Sequence, residues 1–432
     1  MKAVILVAGE GKRLKPITSS VPKPMIPLAG RPLLEYTLLA LKNAGIEDVL
    51  LIVGYKKEII QEYFGNGKEK VGLNINYKTQ DEYLGTAHAT GFAKSFVKDD
   101  NFLMIYGDLL INPDIFKKII HEYKDKNVEG LISLIEVQNP INYGIISLDS
   151  QNLVQKITEK PPAELNLGNL ANAGIYIFNP LIFEAIEKTK LSNRNEYELT
   201  DSMEILVEKL NGKIYGYILE ESNWNDIGLP WQILDANKLL LEKINRDING
   251  DIEENVIIKG NVFIGADTLI RSGSYIQGPC YIGKNNIIGP NAFIRPGTSI
   301  QDNCYIGMSE LKNSIVFSNT NIPHFNYFGD SIIADKVNFG AGTKVANLRL
   351  DKGNISMNIK GKPVDSKRKK LGTFVGPNVK TGINVSIMCG KKIGENAQIG
   401  AHAVVSDDIP PNTLYYQDPE KGTILKKLSL KK

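Results

Sequence analysis

The segment "YIGKNNIIGPNAFIRPGTSI" (281–300) places isoleucine at 282, 288, 294 and 300 and fills the gaps with glycine, asparagine and proline. The spacing extends to both sides: isoleucine occupies 258, 264, 270, 276, 282, 288, 294, 300 and 306, nine times at every sixth residue. One inward aliphatic per six residues, with a turn between, is the pattern of short strands wound into stacked coils. After a phase slip, apolar residues resume at 316, 322 and 328 and at 333, 339 and 345. A last series runs Val375, Thr381, Ile387, Ile393, Ile399, Val405. The reading is a parallel β-helix over 251–432. Two irregular segments, Gly307–Asn321 and Leu348–Lys370, are expected to loop outward, where a rigid scaffold concentrates function.

The first half has a different rhythm. Apolar runs at Ala3–Ala8, Val49–Val53, Phe102–Tyr106, Leu131–Val137 and Gly174–Phe178 read as buried strands. Helical stretches fall between them at Leu33–Ala44, Lys57–Phe64, Ala87–Phe96 and Ile115–Tyr123. Alternation of this kind predicts an α/β domain over 1–228, with a largely parallel sheet and a ligand site beyond the carboxyl ends of its strands. A linker at 229–250 contains a helix at 230–244.

Bulk properties narrow the function. A chain of 432 residues with 42% hydrophobic and 23% charged residues fits two ordinary globular domains. A net charge of +3 gives no general attraction to nucleic acid or membrane. No apolar run reaches the ~18 residues of a membrane span. The start "MKAVILVAGEGKRL" reads as a first strand rather than a signal peptide, so a cytoplasmic location is expected. Cys280, Cys304 and Cys389 are too scattered for a disulfide framework or a zinc site and read as buried thiols.

After that first strand comes "GEGKRL" (9–14), then "VPKPM" (21–25). A Walker loop requires Ser or Thr after Gly11-Lys12, where Arg13 stands, and a dinucleotide fingerprint requires a glycine where Leu14 stands. Taken alone, the turn serves structure as well as it serves function. Together with Gln80, "GTAHA" (85–89), "YGD" (106–108), "YG" (143–144), "TEK" (158–160), "NAG" (172–174) and "WNDIG" (224–228), it closely resembles the sugar-1-phosphate nucleotidylyltransferases. Lys12 departs from that family's usual threonine. The resemblance implies a Rossmann-like nucleotidyltransferase domain in which a sugar phosphate attacks the α-phosphorus of a nucleoside triphosphate and pyrophosphate leaves. The nucleophile is already an anion, so catalysis is positioning and charge neutralisation. Backbone N–H groups from Gly9 and Gly11 to Arg13, with the cations Arg13 and Lys23, suit the triphosphate. Pro22 and Pro24 stiffen the chain around Lys23. Asp108 and Asp226 suit Mg²⁺, although an aspartate in either turn also serves as a cap. The resemblance further assigns base reading to Gln80, Gly85 and Thr86, beside Asp108, and sugar binding to Gly144, Glu159, Lys160 and Asn172. A side-chain amide at position 80 favours UTP or dTTP. His88 and His121 read as structural.

A second resemblance lies in "IPHFNYFGDSIIADKVNFGAGTKVAN" (322–347). It is similar to the acetyltransferase domain of the bifunctional enzymes that make UDP-N-acetylglucosamine, whose hexapeptide prism is left-handed. The match puts His324 on the catalytic base and Tyr327, Asn338 and Asn347 on sugar contacts. Arg295, Lys312 and Lys370 fall on phosphate-binding positions. Leu348 stands where that family usually has tyrosine, which opens the site to galactosamine-1-phosphate as well as glucosamine-1-phosphate. An imidazole suits removal of a proton from an ammonium near neutral pH. His402 reads as an ordinary coil residue. The resemblance implies a homotrimer with acetyl-CoA between prisms, and the tail "KKLSLKK" (426–432) either touches CoA phosphates or is solvated. The rival reading is a monofunctional glucose-1-phosphate thymidylyl- or uridylyltransferase whose prism is only structural, since "WNDIG" is closer to that type. A non-enzymatic scaffold subunit would tend to lose Arg13, Lys23, Asp108 and Asp226, which are all present.

Overall fold

The computed structural model describes residues 1–162, 168–220 and 224–428. They form two compact units. One comprises Met1–Glu10, Pro22–Met25 and Leu33–Asp226; the other comprises Gly11–Val21, Ile26–Pro32 and Ile227–Lys432.

The first unit is built on a twisted sheet. Strands β1 (Lys2–Val7), β2 (Asp48–Val53), β3 (Asn74–Thr79) and β4 (Phe102–Tyr106) are parallel, in the order β4-β1-β2-β3. β1, β2 and β4 are buried apolar runs, whereas β3 at the edge is polar apart from the buried Ile75; helices of this unit include α1 (Leu33–Asn43) and α2 (Lys57–Phe64). The expected stretch Ala87–Phe96 is two short helices, α3 (Thr86–Gly91) and α4 (Lys94–Val97). Next come β5 (Leu109–Ile111), α5 (Ile115–Lys124), β6 (Gly130–Glu136), β7 (Gly144–Leu148), β8 (Val154–Glu159) and β9 (Leu170–Phe178). Helices α6 (Leu181–Lys188) and α7 (Leu199–Glu208), then β10 (Ile214–Ile218) and β11 (Trp224–Asp226), follow.

The sheet is mixed rather than largely parallel. Strand β9 runs antiparallel to β4, β6 and β7, and β8 is antiparallel to β7. For β7 and β8 the cause is loop length: only Asp149–Leu153 joins them, too short for the crossover that parallel pairing needs.

Beyond α8 (Pro230–Leu241) the chain winds into a parallel β-helix with three stacked strand columns. Isoleucines 264 to 306 of the sixfold series are fully buried in one continuous core, and the later series joins it. Each buried isoleucine contributes roughly 2–3 kcal/mol of transfer free energy. A second buried column lies two residues upstream of the first: Val262, Thr268, Ser274, Cys280, Asn286, Ala292, Thr298 and Cys304. Its Cys280 and Cys304 thiols are pushed up to about 12 by burial, which keeps them protonated and inert. Cys389 is only half-buried, against expectation.

The two interruptions differ from one another. The first is no outward loop: β12 (Tyr305–Lys312) and β13 (Asn321–Gly329) pair in parallel along most of their length. Ser309 holds that pairing, donating to Ile322 O and accepting from Asn326 N. The second projects as a hairpin, Ser356–Ile359 against Lys362–Asp365, closed at its neck by a Leu348–Lys370 bridge.

Asn237 on α8 is fully buried; its Oδ1 accepts from Ala29 N at 2.9 Å and Ser299 Oγ at 2.8 Å, and its Nδ2 donates to Gly297 O at 3.0 Å. Truncation strands these groups away from water. Asn237→Ala is therefore expected to cost about 2–4 kcal/mol, read as a lower denaturation midpoint. Among the described residues no helix is long and apolar enough to cross a membrane.

Candidate active sites

The residues singled out by sequence lie in both units, and only some of them meet. In the first unit, Lys23 lies in a single 3-10 turn, Lys23–Met25, with its side chain almost wholly buried. Its Nζ donates to Asp108 Oδ2 at 2.5 Å and stands 3.9 Å from Asp226 Oδ1. Strand pairing explains the meeting. Asp108 follows β4, and β5 pairs antiparallel with β11 so that Asp226 faces Leu109. Trp224 anchors β11 by donating from Nε1 to Ala173 O at 2.8 Å. Lys23 thus holds Asp108 and Asp226 about one ammonium. No group of three or more potential metal ligands occurs among the described residues. A carboxylate pair still fits a hard cation that takes its remaining ligands from phosphate and water.

The loop after β1 turns at Gly11 and enters the 3-10 turn Lys12–Leu14, which carries Arg13. Gln80 follows β3 and is buried; its Nε2 donates to Gly85 O at 3.2 Å. Gly85 has φ 105°, and a Cβ there would sit 2.5 Å from Tyr197 O, so only glycine fits. Thr86 Oγ1 accepts from Leu199 N at 3.0 Å, tying α3 to α7, so its hydroxyl already has a structural task. His121 is exposed, 3.3 Å from Asp125.

Gly144, Glu159 and Asn172 converge, as their assignment to one sugar requires. Gly144 pairs with Glu159 across β7 and β8, and a Cβ on Gly144 would lie 2.8 Å from Glu159 Oε2 and 3.8 Å from Asn172 Cβ. Asn172 is held rigid: Nδ2 donates to Tyr176 OH at 2.6 Å and Oδ1 accepts from Gly174 N at 3.0 Å. Lys160 Nζ lies 3.8 Å from Glu159 Oε1. Two neighbours escaped sequence reasoning because no motif marks them. Arg194 bridges Glu159 at 3.3 Å and Glu198 at 2.5 Å. The buried Thr200 hydroxyl has no hydrogen-bond partner among the described residues, and its Cγ2 would be 3.4 Å from a Cβ on Gly144.

Burial raises the Glu159 carboxyl above its ordinary value; Lys160 and Arg194 pull the other way, and Glu198 and Asp201 add to the rise. A carboxyl raised in the folded chain stabilises it at low pH, and that increment is lost as pH climbs through the folded value. Glu159→Gln removes the loss. Its melting temperature relative to the parent is expected to be more favourable at about pH 7 than at about pH 4. If Glu159 holds the sugar phosphate, the KM for that substrate should rise about tenfold in the same variant, the worth of one hydrogen bond to a charged group.

On the β-helix, one extra residue in β13 is absorbed where Met308 pairs with His324 and Glu310 with Tyr327. Such bulges re-aim side chains. His324 is exposed on the outer surface, and its carbonyl accepts from Gly342 N at 2.9 Å. Phe325 beside it has φ 51° and is 64% exposed. Arg295 Nη1 donates to Glu310 Oε1 at 2.7 Å. Asp330 accepts from Lys312 Nζ at 3.3 Å and from Asn313 and Asn347, both at 2.7 Å. Burial, followed by Glu310 and Asp330, raises the Tyr327 hydroxyl above its ordinary value. Lys370 is exposed and pairs with Leu348 at the hairpin neck. Asn338 sits on another strand column, bridged to Asn321 and Lys380. Glu310 and Asp330, which hold the basic residues, were not anticipated, although "YFGDS" contains the second. His402 is an exposed corner with φ 60°, as an ordinary coil residue would be. Residues 429–432 of the basic tail lie outside the described residues.

Residues 2–243 match the nucleotidyl transferase family and 276–371 the GMPPB C-terminal domain. The chain is 46% identical to the bifunctional protein GlmU of Methanocaldococcus jannaschii, over 97% of this chain and 98% of that one. It is 45% identical to the bifunctional sugar-1-phosphate nucleotidylyltransferase/acetyltransferase of Sulfurisphaera tokodaii, over 95% and 98%. Among solved structures, UDP-glucose pyrophosphorylase complexed with UDP-glucose is similar with TM-score 0.51 and 25% identity, covering 56% of this chain and 98% of that one. A putative glucose-1-phosphate thymidylyltransferase from Bacillus anthracis gives 0.51 and 28%, covering 57% and 97%. The solved relatives thus account for little more than half of the chain, whereas the bifunctional ones account for nearly all of it, which disfavours a monofunctional enzyme. This chain belongs to the bifunctional sugar-1-phosphate nucleotidylyltransferase/acetyltransferase family.

Proposed function

We propose that the chain carries out two steps of UDP-N-acetylglucosamine synthesis. Residues 251–432 acetylate glucosamine-1-phosphate with acetyl-CoA; residues 1–228 then transfer uridylyl from UTP to the product, and 229–250 links the two. The observation that carries the reading is the exposed His324 on β13, the strand whose Tyr327 pairs with Glu310, the partner of Arg295, on the same polypeptide as the Lys23–Asp108–Asp226 cluster.

In the acetyl step, Arg295, Lys312 and Lys370 hold the phosphate, and Tyr327, Asn338 and Asn347 orient the hexosamine. His324 takes a proton from the substrate nitrogen. That nitrogen bonds to the thioester carbon, the C–S bond breaks, and the further proton the nitrogen sheds on becoming an amide passes to the departing sulfur, so that CoA leaves as its thiol. In the nucleotidyl step, Gly144, Glu159, Lys160 and Asn172 hold the sugar phosphate for in-line attack. Arg13, Lys23 and the Gly9–Arg13 amides neutralise the phosphates as pyrophosphate leaves. Asp108 and Asp226 would hold Mg²⁺, which supplies further charge neutralisation when bound. The chain works as a homotrimer in the cytoplasm, with acetyl-CoA between adjacent prisms.

The test is a panel of glucosamine-, galactosamine- and glucose-1-phosphates, with pyrophosphate release followed from UTP and dTTP and thiol release from acetyl-CoA. Thiol release with an amino-sugar phosphate is expected. Its absence with every amino sugar would leave only the nucleotidyl step.

A further inference from the structure

Gln80 and His88 meet in a way that the chemistry above does not use. Gln80 Nε2 donates to Gly85 O at 3.2 Å and lies 3.1 Å from His88 Nδ1. A carbonyl oxygen only accepts, so Gly85 fixes the nitrogen end of the amide toward itself. Nδ1 of His88 must then accept the second amide hydrogen, which places the ring proton on Nε2. Both N–H groups of Gln80 are consumed. Its Oε1 has no hydrogen-bond partner among the described residues and does not rank among the buried unpartnered atoms. His88 is itself held on α3, edge-on to Phe92 with ring centroids 5.0 Å apart.

We propose that His88 is a positioning residue for nucleotide selection: it locks the Gln80 amide so that only its acceptor end is offered to the base. The inference rests on the reading of Gln80 as the base-reading residue. A uracil or thymine base presents N3–H to such an acceptor and forms a hydrogen bond. Cytosine in the same pose presents the N3 lone pair, so two acceptors face each other in a site where Gln80 cannot turn to relieve the clash. Selection of uracil over cytosine then depends on a residue that touches neither the base nor the phosphates.

Three variants of the full-length chain test this, with kcat/KM measured for UTP and for CTP. His88→Leu keeps the packing on Phe92 and removes the acceptor; His88→Asn restores an acceptor, Oδ1, near the position of Nδ1. The expected result is a drop of about tenfold in the UTP:CTP ratio for His88→Leu, the worth of one lost hydrogen bond, and recovery of most of it in His88→Asn. Thiol release from acetyl-CoA should stay at the parent level in both, which certifies folding. An unchanged ratio in His88→Leu, equal losses with both nucleotides, or no recovery in His88→Asn would overturn the proposal. Gln80→Leu separates this failure from failure of the underlying reading: if it too leaves the ratio unchanged, Gln80 does not read the base.

Discussion

His324→Ala should reduce CoA release from acetyl-CoA and glucosamine-1-phosphate by about 10²–10⁴-fold, the usual worth of a positioned general base. Pyrophosphate release from UTP and N-acetylglucosamine-1-phosphate should continue at the parent rate. The imidazole stands at the surface, so its loss leaves no void in the stacked core and stability should barely change. The amide of His324→Asn cannot accept a proton near neutral pH, so that variant should fail equally while preserving size and polarity. Acetylation within about threefold of the parent in either variant would remove His324 from the mechanism.

Asp108→Asn should have the opposite signature: a loss of about 10²–10³-fold in pyrophosphate release with acetylation intact. The substitution keeps the shape beside Lys23 and removes a charge from a carboxylate pair that shares one buried ammonium at 2.5 and 3.9 Å. If the pair holds a divalent cation, raising Mg²⁺ should recover part of the rate, and the Mg²⁺ concentration for half-maximal activity should rise. A variant that is slow but shows no change in Mg²⁺ dependence would assign Asp108 to holding Lys23 alone.

The coils were legible because a single position repeats. An isoleucine at every sixth residue suits little besides a stacked coil, and those from 264 to 306 are buried as the period required. The companion column two residues upstream was not legible, because Thr, Ser, Asn and Ala serve equally well at a buried corner and in an exposed turn. Strand direction escaped for a related reason: apolar runs report burial, and only the short Asp149–Leu153 connection betrays antiparallel pairing. Segment 307–321 lacks the sixfold period although it stays in the coil, because the buried residues Ile306, Leu311 and Val316 are five apart. At the candidate sites, motif residues such as Lys23, Asp108 and Glu159 could be named from sequence as candidates. Arg194, Thr200 and Glu310 could not, since each matters through a neighbour distant in sequence.

The chain's division into two units carries a practical consequence. Gly11–Val21, which includes Arg13, folds with the later part of the chain, where Ser20 donates to Asp335. An expression plasmid that stops at codon 228, tempting because a linker follows, would deliver a polypeptide whose proposed phosphate-binding loop has lost the surface on which it is moulded. Engineers grafting this nucleotidyl module onto a foreign trimer would have to carry that surface along, or redesign eleven residues near the amino terminus.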